Sequence, residues 1–409
     1  MTDDSTLQVV ELFVALIAAA SLVALVVRRI ALPYSVALVV LGLAVAAFGP
    51  AVRIAITPQL VLVVLVPGLV FEAAYRLDVD ELRRTSLGVV VLAVPGVIIS
   101  AAVVALLLSL TGLPLGPAFV VGAITSATDP VAVVATFRTL HAPRRLATLV
   151  EAESLFNDGT AVVVFAIAVA ALSTPISPLD AAISFIATVV VSLAIGIVLG
   201  VLVTRLIAIA DDHLVELSLS VVLAYGTYLI ADRLHESGII ATVVAGIVLG
   251  TYGRRIGLAG RTFDALDATW EFAAFVLTAL VFLLIGLLIT LGELAADGPA
   301  IALGVLGILG ARAIVVYGLL GGAAHVLRRA QRGPVVRSAW LHVLFWAGLR
   351  GAIAVALALS LPSDLPDRAH LQGIVFGMTL FTLLVQGTTT DLVLRRSGLQ
   401  REVPANTSS

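Results

Sequence analysis

The chain has 409 residues, of which 60% are apolar and 12% charged, with a mean hydropathy of +1.15. A soluble protein of this length needs far more polar surface to cover itself, so this is an integral membrane protein with room for about a dozen spanning helices of ~20 residues. A net charge of −2 supplies no basic field for nucleic acid, and the lack of cysteine excludes disulfides, thiolate nucleophiles and thiolate metal sites.

Thirteen apolar stretches are predicted, at about 8–27, 34–51, 57–76, 86–110, 116–138, 145–172, 181–209, 213–231, 238–252, 268–291, 299–327, 338–361 and 369–394. They are helices, because a lipid-exposed backbone must satisfy its hydrogen bonds internally, and the alternating pattern of a barrel is absent. The first stretch has Asp3, Asp4 and Glu11 in front and Arg28-Arg29 behind, the reverse of a signal peptide, and reads as a retained helix. The third carries Glu72 near its end. The fifth contains Thr-Ser-Ala-Thr-Asp-Pro, from Thr125 to Pro130. The sixth opens on Glu151, Glu153 and Asp158 in Glu-Ala-Glu-Ser-Leu-Phe-Asn-Asp-Gly. The eleventh holds Arg312, and the twelfth holds Ala-Gly-Leu-Arg-Gly-Ala around Arg350.

All 24 basic residues are arginine, which with the abundant Ala, Val and Gly points to a GC-rich bacterial genome; the expected location is a bacterial inner membrane. With the N-terminus outside, the alternation of thirteen spans places nineteen arginines in cytoplasmic loops and only Arg53, Arg233 and Arg368 outside. The C-terminus is then cytoplasmic. The fifth and twelfth stretches each place Pro or Gly among polar groups at mid-span. Interrupted helices at matching positions in two halves point to a transporter's midplane site. Stretches one to six (about 8–172) and eight to thirteen (about 213–394) are then inverted repeats, with 181–209 as connector, in one transmembrane domain covering 1–409 without a soluble regulatory domain. Gly321-Gly322 reads as a helix-packing position.

An ionisable side chain at mid-bilayer costs roughly 2.5–3.5 kcal/mol on insertion scales, so each demands a reason. Glu153 and Asn157 share one helical face, and Ser154 and Asp158 form the adjacent stripe; Glu151 is expected to point elsewhere. Pro130 opens the backbone, so the Thr128 carbonyl and the Asp129 carboxylate are placed to coordinate a small hard cation. Glu72, Asp129, Glu153 and Asp158 outnumber Arg312 and Arg350, and that excess of negative charge calls for metal cations or protons. Blander roles stand beside these: a structural pair between Glu153 and an arginine, Glu72 reaching the interface beside Tyr75 and Arg76, and Arg350 capping carbonyls of a broken helix. His141, His213, His235, His325 and His342 lack metal-site clustering and read as interfacial.

Four ordered motifs, Phe71 to Asp78, Ala127 to Ala132, Glu153 to Gly159 and Gly348 to Ala354, resemble the monovalent cation–proton antiporter family that includes sodium/proton exchangers, in its prokaryotic NhaP-like branch. The resemblance implies an all-α polytopic fold of about thirteen helices, with two inverted repeats and two crossing discontinuous helices. It implies that Asp158, Asp129, Ser154, Glu72 and the Thr128 backbone bind the ion. Asn157 marks the Asn-Asp type, generally electroneutral. Glu153 pairs with an arginine, for which Arg312 is the first choice. It implies Na⁺ (or Li⁺ or K⁺) exchanged for H⁺ by alternating access, a homodimer and no cofactor. A sodium-coupled symporter would need a larger polar pocket, and a channel would need a filter loop; neither is visible in the sequence.

Overall fold

The computed structural model describes residues 3–27, 29, 32–48, 57–140, 142–210, 212–256, 260–329 and 338–398, and every regular element among them is helical. Arg28, Arg53, Arg332, Arg337, Arg401 and His141 lie outside these residues. The helices are α1 (Asp3–Val27), α2 (Tyr34–Phe48), α3 (Leu60–Tyr75), α4 (Val79–Ser109), α5 (Leu115–Ser126), α6 (Val131–Leu140), α7 (Arg144–Ser173) and α8 (Pro178–Ile209). They continue as α9 (His213–Arg233), α10 (Gly238–Arg255), α11 (Gly260–Leu288), α12 (Leu291–Ala296), α13 (Gly298–His325), α14 (Ser338–Trp346), α15 (Ala352–Leu359) and α16 (Arg368–Arg396). Counting α5 with α6 and α14 with α15 as single interrupted spans, and leaving out the short α12, each predicted stretch corresponds to one span.

Helix starts follow local chemistry. Asp78 accepts from the N–H groups of Asp80 and Glu81 and begins α4 at Val79, well before the apolar stretch at 86. Hydropathy marks only the lipid-facing part of a helix; the polar turns of α4 and of α11 extend beyond it. Ser177, Asp212 and Ser237 cap α8, α9 and α10 in the same way. Pro95 breaks the hydrogen-bond ladder in the middle of α4. Widened π-helical turns occur at Leu60–Leu65, just before Pro67, at Ile314–Leu320, just after Arg312, and at Thr382–Gly387. Gly322 meets no neighbour within 4 Å, so the glycine pair expected to pack helices does not do so at that position.

The spans sort into two packed groups. In one, α10 lies against α3, α8 and α9, while α11 lies against α1, α2 and α3. In the other, α4 packs on α5, α7 and α13, and α16 packs on α5, α13 and α15. The second group contains two sets of three spans, α4 to α7 and α13 to α16, each with its broken member in the middle. The close approach of α4 and α5 needs Gly122, where a Cβ would run into the Ala101 carbonyl.

The arginine-bearing ends gather on one face of the bundle. Arg145 at the start of α7 donates to the Arg84 carbonyl near the start of α4 at 3.2 Å. Arg76, just after α3, reaches the Asp267 carbonyl of α11 at 2.8 Å. Arg205 near the end of α8 donates to the Tyr252 hydroxyl of α10 at 3.0 Å. At the opposite face Arg368 caps the carbonyls of Leu359 and Leu361, and His370 meets Asp297 at 2.6 Å.

Candidate cation site at the crossing of two broken helices

α5 leaves helical geometry at Ala127, and the chain resumes helix at Val131, past Pro130. α14 ends at Trp346 and α15 begins at Ala352. The two unwound segments touch: the Asp129 N–H donates to the Leu349 carbonyl at 2.8 Å, and the Arg350 guanidinium reaches the Ala127 carbonyl at 3.4 Å. Gly351 is required here, because a Cβ would collide with the Asp129 carboxyl group. That carboxylate also accepts the Val131 N–H at 3.0 Å, at the N-terminus of α6. Peptide groups freed by the breaks, among them the Asp129 N–H and the Leu349 and Ala127 carbonyls, thus find partners across the crossing, which lets irregular backbone persist at membrane depth.

α7 runs alongside and holds the α5–α6 break open. The Asn157 amide is used twice on Thr128, accepting its N–H at 3.1 Å and donating to its hydroxyl at 2.9 Å. Ser154 donates its hydroxyl to the Thr128 carbonyl. Glu153 is 2% exposed and takes both ends of the Arg312 guanidinium, at 2.6 and 3.0 Å. Arg312 spends its Nε–H on the Leu344 carbonyl of α14, so one arginine ties α13, α7 and α14 together. Arg350 donates its backbone N–H to the Thr382 hydroxyl in the widened turn of α16, and its Nε lies buried without a hydrogen-bond partner among the described residues.

A cavity of about 140 Å³ starts at this crossing. Asp129, Asp158, Ser154 and Thr128 line it at the crossing; Glu72 and Glu151 line it nearer the start of α7 and the end of α3, and Val66, Ala274 and Phe282 add apolar walls. It runs toward the arginine-rich face, where Glu72 pairs with Arg76 at 3.0 Å. Asn157, Glu153 and Arg312 are not among its walls; they stand behind it, in contact with the residues that are. Four carboxylates line this one space, together with the Ser154 and Thr128 hydroxyls, and that lining suits a cation or a proton.

The family model for the transmembrane sodium/hydrogen exchanger matches residues 14–396. The chain belongs to the sodium/hydrogen exchanger family. It is 41% identical over 373 residues to the Na(+)/H(+) antiporter ApNhaP of Aphanothece halophytica, covering 90% of this chain and 70% of that one. It is 39% identical over 376 residues to the low-affinity Na(+)/H(+) antiporter NhaS1 of Synechocystis, covering 91% and 71%. The fold matches that of the sodium proton antiporter MjNhaP1 from Methanocaldococcus jannaschii at pH 8, with a TM-score of 0.77 over 96% of this chain and 99% of that one at 21% identity. The all-α polytopic architecture read from the sequence is therefore the exchanger fold.

Glu151 departs from the sequence reading. The sequence predicts that it faces away from Asp158, but both line the cavity, together with Ser154 and Leu155. The reason is periodicity: 151, 154, 155 and 158 follow the i, i+3, i+4, i+7 rule of one helical face, so a complete count of the stripe would have found it. Glu151→Gln removes a charge along the approach, not at the crossing. Exchange is expected to persist with an apparent KM for the cation raised about threefold. Dye-reported proton flux against cation concentration checks this, and an unchanged KM would remove Glu151 from the path. The sequence also gives no local sign of the His370–Asp297 pair, which joins elements 73 positions apart.

Proposed function

We infer that this chain is a secondary antiporter exchanging Na⁺ for H⁺ by alternating access. The observation that carries this is the crossing itself, where Asp129 and Asp158 border a cavity that opens along α7 toward one face of the bundle. A carboxylate that holds a cation or a proton, but never both, couples the two fluxes in opposite directions. In this reading Asp158, Asp129, Ser154 and the Thr128 carbonyl hold the ion, with Glu72 on its approach. Ser154 now directs its proton at the Thr128 carbonyl, so the hydroxyl must rotate for both oxygens to face a cation. Asn157, Glu153, Arg312 and Arg350 keep the broken backbone in place. No resident cofactor is required, because oxygen ligands alone suit a hard monovalent ion. Li⁺ and K⁺ are further candidate cargo.

The membrane is the bacterial inner membrane, with the arginine-rich face cytoplasmic and the N-terminus outside, as the positive-inside rule requires. The cavity then opens inward. The protein works as a homodimer. α8 supports this reading: Leu179, Ile183, Ile186 and Val190 are all exposed apolar residues along one helix of the α8–α10 group.

Exchange is expected to be electroneutral, one cation for one proton, because Asn157 cannot take up a second proton as an aspartate would. In proteoliposomes a potential set with valinomycin should leave the equilibrium position of exchange unchanged, whereas each net charge carried would shift it by ~2.3 kcal/mol per 100 mV. Because proton and cation compete for the same carboxylates, apparent cation affinity should weaken about tenfold per pH unit in the acid range where the site is protonated. Affinity independent of pH would defeat the competition mechanism.

A further inference from the structure

A second cavity, of about 250 Å³, lies near the opposite face, between the far half of α7, the start of α8 and the turn joining α9 to α10. α7 contributes residues 162, 163, 166, 167 and 170 to it. At ~100° per residue, these look out roughly a quarter turn around the helix from the face that lines the first cavity at 151, 154, 155 and 158. Adjoining faces of α7 therefore border two separate spaces, with Asp158 at the inner end of the first. Gly159, next to Asp158 and one turn before Val162 and Val163, begins the second of these faces, and Ile240 of α10 rests on it: a Cβ at 159 would lie 3.7 Å from the Ile240 Cβ and nearer still to its Cγ1.

The turn at the second cavity is firmly built. His235 takes the left-handed conformation that ends α9, and the Glu236 N–H closes back on the Ala231 carbonyl at 2.9 Å. The Ser237 N–H donates to the Ser192 hydroxyl of α8 at 2.9 Å. Glu236 lines the cavity, and its Oε2 is buried with no hydrogen-bond partner among the described residues. Glu236 itself is half-buried, and an acceptor oxygen without a donor suits a cation or water. Ser184, Thr188 and Ser237 add hydroxyls to the same space.

The two sides of the Gly159 contact belong to different packed groups. α10 is joined to α8 and α3 by close backbone approaches, with Gly196 of α8 against the Ala241 carbonyl and Gly250 of α10 against the Tyr75 carbonyl. At Gly159, by contrast, a side chain lies on a bare helix surface, a contact that separates without breaking hydrogen bonds. We propose that the second cavity is the closed ion vestibule of the opposite face, that Ile240 seated on Gly159 is the barrier between it and Asp158, and that Glu236 receives the monovalent cation on that side. This rests on the exchange reading above.

The chain has no cysteine, so a Gly159→Cys/Ile240→Cys pair forms one unambiguous bond, and 3.7 Å lies within the usual Cβ separation of about 3.5–4.5 Å for a disulfide. In proteoliposomes the oxidised protein should lose Na⁺-driven proton flux and regain it on reduction, while Na⁺-dependent thermal stabilisation in detergent persists in both forms. Oxidised protein exchanging at the reduced rate would overturn the barrier. Glu236→Gln should raise the apparent KM for Na⁺ about threefold on the Glu236 face alone, measured in vesicles sorted by orientation; an unchanged KM on that face would overturn the vestibule, whether or not the cysteine pair folds. Absence of Na⁺-dependent proton flux in the unmodified protein would instead defeat the exchange reading, an outcome distinct from both.

Discussion

Asp158→Asn is expected to abolish Na⁺-driven proton flux, to below about a tenth of the unmodified rate, without loss of the folded protein. Asp158 lines the cavity at the crossing, on the same helical face as Ser154, whose hydroxyl contacts the Thr128 carbonyl. The amide is nearly isosteric, so the packing of α7 survives, but it carries no charge to exchange between a proton and a cation. Asp129→Asn should have the same effect on flux with some loss of stability, because its carboxylate also accepts the Val131 N–H and lies against Gly351. Flux in proteoliposomes with thermal melting of the same preparations checks both, and substantial exchange by folded Asp158→Asn would remove it as the carrier group.

Glu153→Gln is expected to act on stability. The Glu153–Arg312 pair is buried on both sides, with the two side chains 2% and 8% exposed. Neither charge has water to fall back on, and removing one partner of such a pair typically costs ~3–5 kcal/mol because the other is left uncompensated. Arg312 also holds the Leu344 carbonyl before the α14–α15 break, and Glu153 accepts the Asn157 amide at 3.4 Å. The damage should therefore spread to the α5–α6 break through Thr128. Glu153→Gln/Arg312→Gln should recover part of the lost melting temperature, since it removes the stranded charge. A Glu153→Gln protein that melts like the unmodified one but prefers a different cation would place Glu153 at the ion.

Much of this molecule is legible in its sequence. Thirteen apolar stretches separated by short polar turns suffice for a polytopic helical protein, because lipid leaves the backbone no alternative to helix. Pro130 and Gly351 announce the two breaks, since one lacks an N–H and the other lacks a Cβ. The carboxylates stand out because charge is expensive in hydrocarbon, and the ordered motifs around them point to the exchanger family. Other features depend on helices that meet only in three dimensions. Linear spacing names Glu153 and Arg312 as buried charges but does not bring together residues 159 positions apart; the packing of α7 on α13 and α14 does. Asn157 reads as a site residue in the chain, yet the fold commits its amide to holding Thr128. The two cavities on adjoining faces of α7, with Ile240 seated on Gly159 beside Asp158, depend on how α10 packs, drawn against α8 and α3 by glycine contacts. Local rules act over one or two turns of helix, whereas an ion path is bounded by whichever side chains several distant helices bring to the same depth.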